Sequence, residues 1–191
     1  MSLAPWRGVV ARALHRNRST ADRRYLQLAT VRPGGTPANR TVVFRGFQEG
    51  TNRLMIVTDR RSEKIPDLRQ CPHAEICWYF PKTREQVRLR GPVQVIEAEA
   101  PDDALAQARL RAWQALSEAS QRPFLGPPPG TPVETPADAS LAPTAHPPAT
   151  FCLVLLDPVW VDHLELRPTP QARTRYERQA DASWTQQAVQ P

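Results

Sequence analysis

The sequence predicts a mainly β protein, an antiparallel barrel or sandwich accompanied by a few α-helices. Six or more short segments have the composition of strands, and they follow one another with few helices between them. Strands in such an order pair in antiparallel sheets. A doubly wound parallel sheet is disfavoured, because helices do not separate the strands and no G-x-G-x-x-G motif occurs. The length of 191 residues fits one domain, residues 1–191.

Turn residues and hydrophobic periodicity indicate where each element lies. A first helix follows Pro5 with an apolar stripe that starts at Trp6, and a second long helix begins at Asp102 and extends to Leu116. Gly91-Pro92 predicts a bulge or bend inside a long strand. Strands are expected at 25–31, 38–47, 53–58, 75–80, 86–97, 151–156, 159–166, 173–178 and 184–189, and a short helix at 62–70.

Composition limits the class of protein. Apolar residues make up 40% and charged residues 23%, as in soluble globular proteins. No apolar run approaches the roughly 20 residues of a membrane helix, and the N-terminus lacks a secretory signal, so we expect a cytoplasmic protein. Three cysteines without a C-x-x-C pair predict free thiols, and four dispersed histidines predict no metal site. Residues 123–150, rich in Pro, Ala and Thr, predict a loop or lid.

One predicted strand carries an arginine at each end of a β-branched run, Arg40-Thr41-Val42-Val43-Phe44-Arg45. Side chains alternate between the two faces of a strand, so Arg40 and Arg45 point in opposite directions. Backbone N–H and C=O groups between two cations suit an aromatic heterocycle with amide-like edges. The same pattern also fits an ordinary barrel strand whose arginines are solvated.

A second segment gathers groups that bind phosphate. Hydroxyl, guanidinium and ammonium groups, together with free helix N–H groups, are the usual components of a phosphate site. A chain of net charge +6 that has only two lysines places one of them here. A capped helix with a solvated lysine is the alternative interpretation. The four candidate groups, within one turn that leads into the short helix, are Thr58, Arg61, Ser62 and Lys64.

The order and spacing of these groups resemble the pyridoxamine 5′-phosphate oxidase family of FMN-binding split barrels. That family has an Arg-led apolar strand that ends in a cation, followed by a Thr, a Ser-Arg-Lys turn and an Arg-Gln-Val strand. Near its C-terminus it has an Arg, a Tyr, a Trp and a final Pro. The resemblance spans most of the chain. The matching positions are 40–45, Thr58, Ser62-Glu63-Lys64, Glu85-Gln86-Val87, Arg173, Tyr176, Trp184 and Pro191.

The resemblance implies a six-stranded antiparallel split barrel with N-terminal and middle helices, and a homodimer with FMN bound between its subunits. The first strand would line the flavin ring and ribityl chain, and the turn would hold the phosphate. Gln86 would contact the ring, and Arg173 would reach the cofactor from the C-terminal hairpin. No residue is assigned a catalytic role. With Arg61 added on chemical grounds, the implied FMN-binding residues are Arg40, Thr41, Val42, Val43, Arg45, Val57, Thr58, Arg61, Ser62, Lys64, Gln86 and Arg173.

The sequence departs from the family at several positions. Glu63 replaces a phosphate-binding Arg, a charge reversal that the neighbouring Arg61 could offset, and Arg45 stands where the family usually has Lys. The family's Arg-Leu-His, which contacts the vitamin substrate, is replaced by residues 169–172. The Tyr, Arg and Ser that bind the substrate phosphate have no clear counterparts in residues 104–121. The cofactor site is therefore matched better than the substrate site.

Three functions remain open. The first is an FMN-dependent oxidoreductase that oxidises an amine or alcohol such as pyridoxamine 5′-phosphate, or another small substrate. A cationic substrate pocket would then draw on Arg45, Arg109, Arg111 or Arg122. The second is a flavin-binding protein without turnover, which the missing substrate residues favour. The third is a basic β-barrel that binds nucleic acid through Trp78-Tyr79-Phe80, although the arginines spread over the whole chain.

Overall fold

The computed structural model of the chain describes residues 3–133 and 142–191. Within these ranges it has nine strands, four α-helices and two short 3-10 helices, Ala21–Arg24 and Arg122–Phe124. The α-helices are α1 (Trp6–Arg16), α2 (Lys64–Gln70), α3 (Asp103–Gln114) and α4 (Glu118–Gln121). The strands are β1 (Tyr25–Val31), β2 (Pro37–Val43), β3 (Leu54–Asp59), β4 (His73–Phe80), β5 (Glu85–Ile96), β6 (Phe151–Leu156), β7 (Trp160–Glu165), β8 (Ala172–Arg178) and β9 (Trp184–Val189).

Six strands, β1 to β6, surround the main core as a barrel that does not close completely. The strand pairs are antiparallel, and their order around the core is β2-β1-β4-β5-β6-β3. Between β3 and the segment after β2, the described residues form one isolated bridge, Phe47 with Leu54. The strands β7, β8 and β9 extend the sheet beyond β5. The predicted mainly β, antiparallel split barrel is therefore confirmed, with three strands added to its six.

The strand β2 ends at Val43, although the sequence predicts a strand as far as Phe47. The cause is an exchange of hydrogen-bond partners. The backbone N–H of Phe44 still follows the β1–β2 register and donates to the Arg24 carbonyl (2.7 Å), whereas that of Arg45 donates to the Met55 carbonyl (2.9 Å). The chain thus leaves β1 and turns toward β3, so Arg45 lies outside the β2 ladder.

The long strand β5 belongs to both halves of the barrel. It pairs with β4 as far as Pro92 and with β7 as far as Arg90, and from Val93 onward it pairs with β6. The change of partner falls at the predicted bend, Gly91-Pro92. Glycine is required there because a Cβ on Gly91 would lie 2.0 Å from the backbone oxygen of Asp157.

Two apolar cores lie on the two sides of β6. The first fills the barrel and includes Trp6, from the predicted apolar stripe of α1. The second lies between β6 and α3. Val154 and Leu156 belong to the first core, whereas Leu153 and Leu155 belong to the second. Because both faces of β6 are covered, its sequence is apolar without interruption.

The aromatic segment of β4 is part of the core rather than a surface for stacking bases. Trp78 and Phe80 are fully buried, and only Tyr79, 43% exposed, lies at the surface. The indole N–H of Trp78 donates to the Arg23 carbonyl (3.0 Å). The nucleic-acid hypothesis therefore loses two of the three rings on which it depends.

The Pro-rich segment 123–150 lies partly outside the described residues, which omit 134–141. Its described parts contain no strand, and no helix beyond the 3-10 turn at their start, in agreement with the predicted loop. The later part runs along α3. The Trp113 indole N–H donates to the Thr144 carbonyl (2.8 Å), and the Arg109 guanidinium donates to the Pro148 carbonyl (2.6 Å). A second bond from Arg109, to the Phe151 carbonyl (3.0 Å), makes this arginine a structural one. No described helix is long and apolar enough to cross a membrane.

We expect Gly91→Ala to destabilise the fold by about 1–3 kcal/mol or more, since the new methyl group would collide with the backbone of Asp157. Urea unfolding followed by tryptophan fluorescence measures this change. Gly34→Ala is the matched control, because no atom lies within 4 Å of its added Cβ. We expect its free energy of unfolding to stay within about 0.5 kcal/mol of the wild type. Equal stability of the two variants would contradict the close approach of Gly91 on β5 to the backbone of Asp157.

Candidate functional site

A lysine and two hydroxyl groups form the centre of the candidate site. Lys64 Nζ donates to Thr58 Oγ1 and to Ser62 Oγ, each at 2.9 Å, and the two hydroxyl oxygens are 3.2 Å apart. Thr58 belongs to β3, Ser62 lies in the turn after it, and Lys64 is the first residue of α2. Ser62 is fixed by a bond from its hydroxyl to the Asp59 carbonyl (2.8 Å). We call Thr58, Ser62 and Lys64 the lysine cluster.

Arg40 is held beside the lysine cluster by the buried carboxylate of Asp67. Its guanidinium is 3.3 Å from Asp67 Oδ2 and also donates to Thr30 Oγ1 (2.6 Å). Thr30 in turn donates to the same carboxylate oxygen (2.7 Å). Asp67 follows Lys64 by three residues on α2, so the two side chains lie on neighbouring positions of the helix surface. The helix thereby brings together residues from β1, β2 and β3.

The charge of Lys64 is incompletely neutralised. Among the described residues, its ammonium group donates only to hydroxyl oxygens. Burial lowers the pKa of Lys64 below its usual value, and the positive charge of Arg40 lowers it further. The carboxylates of Asp59, Asp67 and Glu63 act in the opposite direction, but the pKa remains lowered. A bound dianion such as phosphate would offset the excess positive charge and accept the available hydrogen bonds.

Arg61 and Val57 adjoin the lysine cluster in sequence but point away from it. The Arg61 guanidinium forms a two-pronged ion pair with Asp59 (2.7 and 2.9 Å) and donates to the Gly126 carbonyl (3.0 Å). The hydrogen bonds that Arg61 donates to Asp59 raise the pKa of Arg61. Val57 packs against the second core. Arg61 therefore anchors the Pro-rich segment in this structure. Its guanidinium is bound to Asp59 and does not substitute for the family's phosphate-binding arginine, whose position Glu63 occupies.

The three residues that follow Arg40, which are Thr41, Val42 and Val43, have different environments. The side chain of Thr41 is exposed, that of Val43 is half-buried, and that of Val42 is in the barrel core. Thr41 and Val43 could therefore contact a ligand through their side chains, whereas Val42 could do so only through its backbone.

Arg45 lines a separate cavity of about 330 Å³, between the segment after β2 and helix α3. Arg24 and Arg111 also line it, while Ala108 and Leu116 belong to its apolar wall. Two buried atoms beside it, Arg45 Nε and Gln48 Oε1, have no hydrogen-bond partner among the described residues. Burial lowers the pKa of Arg45, and the nearby Arg24 lowers it further. One carboxylate, Glu49, also lines it, but the three arginines outnumber it, and we call this space the cationic cavity. Its charge suits an anionic ligand with a small apolar body.

Of the four arginines that the sequence left open as substrate ligands, two line this cavity. Arg45 and Arg111 line it, whereas Arg109 is held by backbone carbonyls and Arg122 is exposed outside it. Arg24 completes the set and was missed by sequence reasoning. It precedes β1 in a short 3-10 helix, where no motif distinguishes it from the other arginines.

Gln86 and Arg173 share a different part of the sheet. Leu164 on β7 is paired with both residues, with Gln86 on β5 and Arg173 on β8. Arg173 is bound to the buried carboxylate of Asp162 (2.7 and 2.9 Å). The strand order puts β8 five strands from β2. At about 4.8 Å per strand, Arg173 and Arg40 are separated by on the order of 20 Å along the sheet.

Sequence reasoning missed two further residues of the site, Thr30 and Asp67. A signal for Asp67 was present, since an acidic residue three positions after Lys64 on a predicted helix lies near the same face. Thr30 carried no such signal. Its role depends on the register that pairs β1 with β2.

Comparisons with known proteins agree with this fold and with FMN as the cofactor. Residues 3–97 match the family model described as pyridoxamine 5′-phosphate oxidase, FMN-binding domain. Pyridoxine/pyridoxamine 5′-phosphate oxidase 2 of Arabidopsis thaliana is 39% identical over 194 aligned positions, which cover 99% of this chain and 98% of the relative. The pyridoxine/pyridoxamine 5′-phosphate oxidase of Sinorhizobium fredii is 35% identical over 96 residues, or 48% of this chain and 46% of the relative.

A solved structure is similar over the whole chain. It is a pyridoxamine 5′-phosphate oxidase-related, FMN binding protein from Nostoc punctiforme, with 52% identity and a TM-score of 0.96. The similarity covers 100% of this chain and 99% of the other. Fold and sequence together define a split-barrel protein whose cofactor is FMN. The chain belongs to the pyridoxamine 5′-phosphate oxidase family.

Proposed function

We propose that this protein is an FMN-dependent oxidoreductase and that the lysine cluster, together with Arg40, binds the phosphate of FMN. The observation that carries the cofactor assignment is the buried, incompletely neutralised charge of Lys64, next to two hydroxyl groups and a second cation. A phosphate monoester carries about −1.5 to −2 charges near neutral pH, and three oxygens that accept hydrogen bonds. The residues present therefore fit this part of the cofactor.

We further propose that the flavin ring lies against the run from Thr41 to Val43 and that a second subunit completes the site. The separation between Arg40 and Arg173, five strands along the sheet, supports this arrangement, because a partner's sheet could supply Gln86 and Arg173 to the site of the first. Tyr25 and Tyr79, 48% and 43% exposed, offer aromatic surface for such contact. The functional unit would be a cytoplasmic homodimer.

The cationic cavity is the proposed substrate site. Arg24, Arg45 and Arg111 would bind the anionic group of a small amine or alcohol, and the apolar wall from α3 would pack against its body. Pyridoxamine 5′-phosphate fits this description, and the names of the Arabidopsis and Sinorhizobium relatives point to the same class of substrate. When bound, FMN would supply the redox chemistry, and the protein would bind and orient the substrate.

Hydrogen peroxide release from pyridoxamine 5′-phosphate under air tests this function. We expect turnover well above that of free FMN at equal concentration. Arg45→Ala and Arg111→Ala should each raise KM by roughly tenfold or more, because each removes a charged hydrogen-bond donor from the cavity. Arg122→Ala, an exposed arginine outside the cavity, is the control and should leave KM unchanged.

Two results would contradict the proposal in different ways. Turnover no faster than free FMN, with FMN still bound, would favour the flavin-binding protein without turnover. Normal turnover with unchanged KM in both cavity variants would leave the oxidase function intact and place the substrate elsewhere.

The lowered pKa of Lys64 predicts how FMN affinity depends on pH. The phosphate interacts with the charged ammonium group, so binding favours the protonated lysine and affinity falls as pH rises through the lowered pKa. We expect the FMN dissociation constant to increase between neutral pH and 10.5, before the ordinary lysine pKa is reached. Fluorescence titration of the apoprotein with FMN measures this constant at each pH.

Lys64→Arg is the matched control for the pH series. Its guanidinium remains charged throughout this range, so the dependence on pH should become flat. An identical alkaline loss of affinity in the wild type and Lys64→Arg would show that another group is responsible.

A further inference from the structure

One end of the barrel brings a histidine and two glutamates together, next to Gln86 but outside the lysine cluster and the cationic cavity. Glu85 is the first residue of β5, and the register pairs it directly with Glu165 on β7. His163 lies two positions before Glu165, so it shares a face with that residue and is the diagonal neighbour of Glu85. One potential ligand atom from each of the three side chains lies within 4.8 Å of the other two.

The group is held by its surroundings. Glu85 and His163 are buried, with side chains 8% and 7% exposed, and Glu85 Oε2 is 3.0 Å from His163 Nε2. The hydrogen bond from His163 lowers the pKa of Glu85 despite burial, and Arg16 contributes in the same direction. Glu85 and His163 thus form a hydrogen-bonded pair, and a metal ion would take the place of the proton that they share.

An open cavity gives access to this group. It measures about 470 Å³, and both Glu85 and Glu165 line it. The buried amide of Asn17 ties the end of α1 to the β4–β5 turn. Its Nδ2 is 3.0 Å from Thr83 Oγ1, and its Oδ1 accepts a bond from the backbone N–H of Lys82 (3.0 Å). The wall of the cavity is thus anchored.

We propose that Glu85, His163 and Glu165 bind one divalent transition-metal ion of the Zn²⁺ type. One imidazole and two carboxylates are a ligand set that suits zinc and its neighbours, whereas Mg²⁺ and Ca²⁺ prefer oxygen ligands alone. The 3.0 Å between Glu85 Oε2 and His163 Nε2 is a hydrogen-bond distance, a few tenths of an ångström shorter than the roughly 3.4 Å between adjacent ligands of a tetrahedral ion with bonds of about 2.0–2.2 Å, so a small outward shift of the two side chains would admit the ion. The Glu165 carboxylate lies at the cavity and would complete the three-ligand face.

The cavity also indicates what would occupy the fourth position. Arg16, Arg18, Lys82 and Arg167 line it. These cations would favour an anionic ligand, such as a carboxylate or phosphate, on the open side of the ion. Neither the lysine cluster nor the cationic cavity contributes a residue to this site, although Glu85 adjoins Gln86, which is proposed to contact the flavin.

Isothermal titration of the untagged, chelator-treated full-length FMN protein with ZnCl₂ tests the proposal. We expect one ion per chain. Glu165→Gln, a change at a half-buried position, should weaken Zn²⁺ binding at least tenfold, the lower end of what is lost when a residue that merely supports a ligand is replaced. Glu118→Gln, an exposed carboxylate outside the group, is the control and should bind like the wild type.

Titration with Co²⁺ gives a second reading that does not depend on folding energy. Imidazole and carboxylate ligands should produce visible Co²⁺ absorption to the red of the flavin bands in the wild type, and Glu165→Gln should alter it. Two results would overturn the proposal. One is the absence of stoichiometric Zn²⁺ binding in the wild type. The other is equal Zn²⁺ affinity in the wild type and Glu165→Gln, with flavin absorbance confirming that both are folded.

Discussion

The positive charge of Lys64 is held in place by hydroxyl groups rather than by an opposing charge, and the candidate cofactor site depends on this arrangement. Thr58 and Ser62 orient the ammonium group, but as neutral groups they do not offset its charge, which the nearby carboxylates neutralise only in part. A cation that is partly removed from water and lies beside a second cation favours a state in which an anion is bound. In the proposed FMN site, the two cations that would bind the phosphate are therefore already in place.

The barrel sets this charge beside Arg40 by means of one carboxylate. Asp67 accepts hydrogen bonds from Thr30 and Arg40, and it stands one helical turn from Lys64. The network joins β1 and β2 to α2, while the turn from Thr58 to Lys64 joins α2 to β3. Asp59, at the end of β3, uses its side chain to hold Arg61 and, through it, the Pro-rich segment. Asp67 thus holds Arg40 beside Lys64, whereas Asp59 holds Arg61 against the Pro-rich segment.

Local patterns predicted a large part of the fold and some of the site. The lysine cluster spans seven residues, so one turn suffices to bring its members together; its chemistry suggested phosphate or a capped helix, and the family resemblance favoured the phosphate of FMN. The apolar face of α1 and the bend at Gly91 were also predicted correctly, because each depends on residues that are close in sequence. The end of β2 was predicted wrongly, since the change of partner there depends on a hydrogen bond from Arg45 to the carbonyl of Met55 on β3.

Groups assembled from distant parts of the chain could not be predicted. The cationic cavity combines Arg24, Arg45 and Arg111 from three separate elements, and nothing in their spacing links them. Glu85 and His163 meet only through the register of β5 and β7. The orientation of Arg61 could not be predicted for a different reason. Its charge suits phosphate, but in the structure its guanidinium is paired with the nearby Asp59.

Comparison of FMN with riboflavin, which differs only in lacking the phosphate, tests the role of Lys64 most directly. Dissociation constants are measured for both ligands with the wild type and with Lys64→Met. We expect the substitution to weaken FMN binding by roughly tenfold or more, the cost of one charged hydrogen-bonding group, and to leave riboflavin affinity unchanged. Equal losses for the two ligands, or no loss for FMN, would contradict the assignment of Lys64 to the phosphate.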